Sequence, residues 1–195
     1  MSLRKANRLA FGLIQEKVLT LVVSTAPRID GDKVARLVDP AQDGSPLYEE
    51  VAAPLREVHW ANNTGALPIR FLYLVRPLPD GGGWEYVVDT ETDAASKSHL
   101  GDKVEFHNPS EIPTFGESWV DGEYARDSFG TWLSAFAPVT NSAGETVAML
   151  GADIAAQRIE LLLRKLLVGD LVAMMIALTL AAALAAWLSA KVSRP

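Results

Sequence analysis

Residues 130–165 read GTWLSAFAPVTNSAGETVAMLGADIAAQRIELLLRK. Two β-prone runs flank the turn residues Asn141-Ser142-Ala143-Gly144, which predicts a hairpin with strands near 131–140 and 145–153. From Ile154 the pattern turns helical, with neither Gly nor Pro before Gly169. That helix runs on into LVAMMIALTLAAALAAWLSA, residues 171–190, a stretch of twenty residues without a charge. At about 1.5 Å per residue it matches the roughly 30 Å hydrocarbon core of a bilayer, and Trp187 suits an interfacial aromatic. The expectation is a transmembrane helix over 166–190, wired directly to a hairpin. Arg164 and Lys165 precede it, and Lys191 and Arg194 follow it. Basic residues on both sides leave its orientation undecided. Asp170 lies about one turn inside the first boundary, where it can reach headgroups or pair with Arg164 or Lys165.

Working outward, 195 residues hold one ordinary domain plus an extra element. A composition of 49% apolar and 22% charged residues argues against disorder. The formal net charge of -6, with no basic run, argues against a nucleic-acid partner. The absence of cysteine removes disulfides, thiolate zinc sites and cysteine nucleophiles.

Toward the N-terminus, residues 4–26 predict a long helix with Leu9, Leu13, Val18 and Leu21 on an apolar stripe, stopped by Pro27. Its uncharged stretch, 18–26, reads as too short to span a bilayer. Asp30-Gly31 marks a turn, after which Asp32 is expected to cap a short helix. Ser45-Pro46 opens another helix, with Leu47, Val51, Leu55 and Val58 at helical spacing. The period then changes. Residues 68–78 and 83–91 predict strands joined by Asp80-Gly81-Gly82-Gly83. Residues 92–129 read as a long polar loop, functional in itself or the cover of a site. The fold class is therefore α+β, with a long N-terminal helix, a central antiparallel sheet of about five strands and a C-terminal transmembrane helix.

The chain lacks G-x-S-x-G, H-E-x-x-H, phosphate-loop and dinucleotide signatures, so neither catalytic residue nor cofactor is predicted. The cluster HLGDKVEFH offers His99, Asp102, Glu105 and His107, but its spacing fits no regular metal site. A small-molecule pocket is better supported. Strand alternation groups Phe71, Tyr73 and Val75 on one face of the first strand, Trp132, Ser134 and Phe136 on one face of the penultimate strand, and Val147, Met149, Gly151 and Asp153 on one face of the last. Tyr73, Tyr86, Trp132, Ser134 and Asp153 can then line one concave site, closed by Trp119, Tyr124, Arg126 and Asp127 from the long loop. An aspartate among aromatics suits a ligand ammonium and an arginine suits a carboxylate, which points to a small zwitterion or carboxylate. The same residues have a plainer reading, with the aromatics as core and Asp153 as N-cap of a helix starting at Ile154.

In order and spacing, RIDGDKV after the first helix, IRFLYLVRPLPDGGGWEYVVDTE and DSFGTWLSAFAPVTNSAGETVAMLGADI resemble the Cache, or PDC, domains. These are PAS-like extracytoplasmic sensor domains of bacterial transmembrane receptors. LSAKVSRP resembles the start of a HAMP relay helix. The resemblance implies a periplasmic or extracellular sensor domain over 4–163, a span through the inner membrane over 166–190 and a HAMP linker from 191–195. It further implies that the chain is part of a larger receptor, with a membrane span before the first helix and an output module such as a kinase, cyclase or phosphatase after the last. The expected function is signal transduction: binding an amino acid, amine or carboxylate and relaying the change through the transmembrane helix, as a homodimer through the N-terminal helix. The alternative is a ligand-free structural domain that senses a partner protein or dimerises.

Overall fold

The computed structural model describes residues 3–106, 111–127 and 130–192. It forms two compact units, 1–159 and 160–195. The first begins with α1 (Leu3–Thr25), a short 3-10 turn (Ala26–Arg28) and α2 (Gly31–Ala35). The N-cap of α2 is Asp30, whose carboxylate accepts the Lys33 amide hydrogen, not Asp32 as the sequence suggested. Asp32 is used elsewhere: it accepts the Ser142 amide and hydroxyl hydrogens at 3.2 and 3.1 Å, hooking α2 to the turn of the last hairpin. Next comes α3 (Pro46–Asn62), capped as expected by the Ser45 hydroxyl, which accepts from the Tyr48 amide.

The strands are β1 (Phe71–Pro77), β2 (Trp84–Asp89), β3 (Trp119–Val120), β4 (Ala125–Asp127), β5 (Gly130–Thr140) and β6 (Thr146–Ala155). They form one antiparallel sheet in the order β2-β1-β6-β5-β3, and β4 also pairs with β5. Both short strands lie along the same margin of β5, so the sheet is five strands wide. The predicted loop 92–129 thus supplies an edge of the sheet as well as a cover. Its short edge strands are the kind that discourage pairing with other chains.

Pairing register and alternation define two faces. Leu72, Leu74, Leu133, Ala135, Leu150, Ala152 and Ile154 occupy one and are fully buried. The helices cover this face, α1 running along β5 and β6, and α3 along β1 and β2. On the other face Tyr73, Val75, Trp84, Phe136 and Met149 form a second core, packed against Val104 and Phe106 from the loop after β2.

Two apolar faces run along α1. Ile14, Val18 and Val22 are buried, whereas Leu9, Leu13 and Val23 lie about half a turn away and stay exposed. The expected stripe of Leu9, Leu13 and Val18 is therefore divided between two sides. This also explains why residues 8–28 are apolar and long enough to cross a membrane, contrary to the sequence expectation, although one face sits in the domain core.

The strand β6 leads into α4 (Ala156–Val192). From 156 to 189 this helix is long and apolar enough to cross a membrane, and Leu171, Ile176, Leu180 and Leu184 are all exposed. Their exposure fits a lipid surrounding.

Candidate functional site

Opposite the helices, a cavity of about 40 Å³ lies between the sheet and the segment that follows β2. Strand β1 supplies Tyr73, β2 Tyr86, β5 Trp132, Ser134 and Phe136, and β6 Asp153. The covering segment contributes Glu105, Phe106, Glu111 and Asp121. A water needs roughly 10–15 Å³ of such space, so the cavity admits about three or four waters or a compact ligand group.

Asp153 is inside β6, opposite both Phe71 and Ser134, and its residue is buried. The helix starts only at Ala156, so the alternative role as N-cap is excluded by position. The reason is pairing: β6 stays hydrogen-bonded to β5 as far as Ala155, opposite Trp132. The Tyr73 hydroxyl donates to Asp153 Oδ1 at 3.1 Å. Burial pushes the Tyr73 phenol well above its usual range, and the Asp153 charge adds to this, so the phenol remains a proton donor. Tyr73 and Tyr86 meet edge to face at 5.5 Å, and Tyr73, Tyr86 and Asp153 also border a second space of about 10 Å³ on the side of Asp89 and Ser98.

Asp121, absent from the residues singled out by sequence, is the second buried carboxylate of the cavity. Its Oδ2 accepts the Ser134 amide hydrogen at 2.7 Å, while its own amide donates to the Ser134 carbonyl at 2.9 Å. Burial pushes its carboxyl up to about 7, helped by the Glu111 charge and opposed by hydrogen bonds from the Ser134 amide and hydroxyl. In the sequence, WVDGEY falls within the long polar loop 92–129; the pairing with a strand thirteen residues later brings the aspartate inside.

Of the nine residues chosen from sequence, Tyr73, Tyr86, Trp132, Ser134 and Asp153 line this cavity together. Trp119 packs on the lining residue Phe136 at 5.9 Å and Tyr124 on Phe11 of α1 at 5.5 Å, and neither is itself among the residues that line the cavity. The side chains of Arg126 and Asp127 lie outside the described residues, although their backbones form β4. His107 of the weak metal pattern lies outside them too, while His99 Nδ1 sits 2.7 Å from Asp43 Oδ2.

A larger space, about 520 Å³, opens between the end of α1, α2 and α3. Its floor is apolar, with Val51, Pro54, Leu55 and Val58, and the rim charge Lys33 is paired with Glu50 at 2.9 Å. Size favours this groove, but converging buried polar groups favour the smaller cavity as the chemical site.

Neither a family model nor a curated protein matches this sequence.

Proposed function

We propose that residues 4–163 form a Cache-like, PAS-like sensor domain that binds a small ammonium-bearing ligand, an amine or amino acid. The change on binding is relayed through α4 across the membrane. The observation that carries this is a cavity holding two buried carboxylates, Asp121 and Asp153, among Tyr73, Tyr86, Trp132 and Phe136. An ammonium donates hydrogen bonds to such carboxylates and is attracted to aromatic faces. Asp153 is three residues from the start of α4, so a ligand that draws on this carboxylate acts on the strand that becomes the helix. The domain lies on the periplasmic side in this reading, and no reaction is assigned to it. Titration of the full chain in detergent with amines and amino acids, followed by tryptophan fluorescence, tests it. Binding that is lost in Asp153→Asn supports the site; unchanged affinity in both Asp153→Asn and Trp132→Phe, with the fold intact, removes it.

The second reading, a domain that answers to a partner or to its own copy, draws on the outward apolar face of α1 at Leu9, Leu13 and Val23. A homodimer through α1 fits either reading. Leu13→Glu is expected to shift a dimer to monomer in analytical ultracentrifugation; a monomeric unsubstituted chain ends the dimer proposal.

A further inference from the structure

Asp121 connects three things that the ligand reading leaves separate. Its carboxylate borders the cavity, its backbone and side chain are hydrogen-bonded to Ser134 of β5, and its carbonyl accepts the Gln15 side-chain amide of α1 at 2.6 Å. This is a tie between segments 106 positions apart, formed at a residue that is only 3% exposed.

We infer that Asp121 is a proton-binding switch, taking up a proton from the cavity and passing the change to α1 through Gln15. It needs no ligand other than the proton, and so stands apart from the small-molecule reading.

The groups facing it agree with that role. From β6 comes Asp153, from β1 and β2 the phenols of Tyr73 and Tyr86, and from the covering segment Glu105 and Glu111. Strand β5 presents Ser134, and α1 presents the neutral Gln15. Among the described residues lining the cavity there is neither Lys, Arg nor His. The Ser134 amide and hydroxyl are donors to the carboxylate, and both bonds weaken when the acceptor loses its charge. Protonation thus loosens the grip of Asp121 on β5. The peptide carbonyl that holds Gln15 belongs to the same residue, so α1 registers the loss.

The test uses the full chain in detergent micelles, with ¹³C-labelled aspartate and ¹⁵N-labelled glutamine, titrated from pH 5 to 8.5 by NMR. The expected result is one aspartate carboxyl that titrates near 7 and is missing in Asp121→Asn. The Gln15 side-chain amide moves with the same midpoint and stops moving in that variant. Ser134→Ala, which removes one donor and keeps the backbone pair, raises the midpoint; this reading survives a poorly folded Asp121→Asn. A carboxyl that titrates in the ordinary range near 4, or a Gln15 amide that is unchanged across the titration, overturns the inference.

Discussion

The Tyr73 hydroxyl on β1 donates to Asp153 on β6 at 3.1 Å, diagonally across the paired strands, because the residue facing Tyr73 is Gly151. A Cβ placed on Gly151 would come within 2.5 Å of the Tyr73 ring and 2.9 Å of the Phe136 ring. The missing side chain is what lets both rings close over β6.

Gly151→Ala should therefore damage the site and the core together. Overpacking of this kind costs about 1–3 kcal/mol. Urea denaturation of the full chain in detergent should show that loss, and the near-ultraviolet circular dichroism of the tyrosines should change.

Removing only the hydroxyl is a narrower test. Tyr73→Phe should cost about 1.5–3 kcal/mol, since it deletes one hydrogen bond to a buried carboxylate and keeps the ring. A loss of ligand affinity larger than the loss of stability would show that Asp153 must be held in place to bind.

The Asp121 carboxyl gives the domain a pH dependence with a definite sign. Its folded value, about 7, lies above its unfolded value near 3.8, so the folded state favours the protonated form. The stability from this group is complete below about pH 4 and is lost as pH rises toward 7. Between pH 5 and pH 8 the loss is about 2–3 kcal/mol, taken from roughly 1.4 kcal/mol per pH unit. Asp121→Asn should remove this component. Thermal melts at the two pH values should differ less for the variant than for the unsubstituted chain.

The α2 hook is equally open to test. A Cβ on Gly31 would fall 2.1 Å from the Thr140 carbonyl oxygen, which is backbone and cannot swing aside. Gly31→Ala should cost about 1–3 kcal/mol by urea denaturation, whereas Asp32→Ala, which deletes exposed hydrogen bonds to Ser142, should cost less than 1 kcal/mol.

In the proposed function, membrane insertion rests on α4, which is long and apolar enough to cross a membrane. Leu180→Arg places a charge in the middle of the uncharged run, at a cost of about 2.5–3.5 kcal/mol. The unsubstituted chain should stay with the membrane pellet after alkaline extraction, and the variant should do so less completely.

The sheet was legible because its strands carry their own alternation: the two hairpins differ from expectation only at their ends. The lining of the candidate cavity was legible where it depends on the same alternation, in Tyr73, Trp132, Ser134 and Asp153. Non-local features escaped. Asp121 becomes a buried carboxylate only through its pairing with Ser134, and the alternative cap role of Asp153 gave way because β5 holds β6 as a strand for two residues more. For α1, one apolar stripe could not reveal two apolar faces, since the sheet selects Ile14 and Val22 while Leu9 and Leu13 remain outside.

The most direct test of the central claim is a thermal-shift panel on the full chain in detergent, with amines, amino acids and carboxylates as separate probes. At a hundredfold its dissociation constant a ligand stabilises the folded state by about 2.7 kcal/mol, a shift of several degrees. The account predicts such a shift for an ammonium-bearing compound and its disappearance in Asp153→Asn. A folded protein that no compound in the panel stabilises, or one stabilised equally in Asp153→Asn, would contradict it.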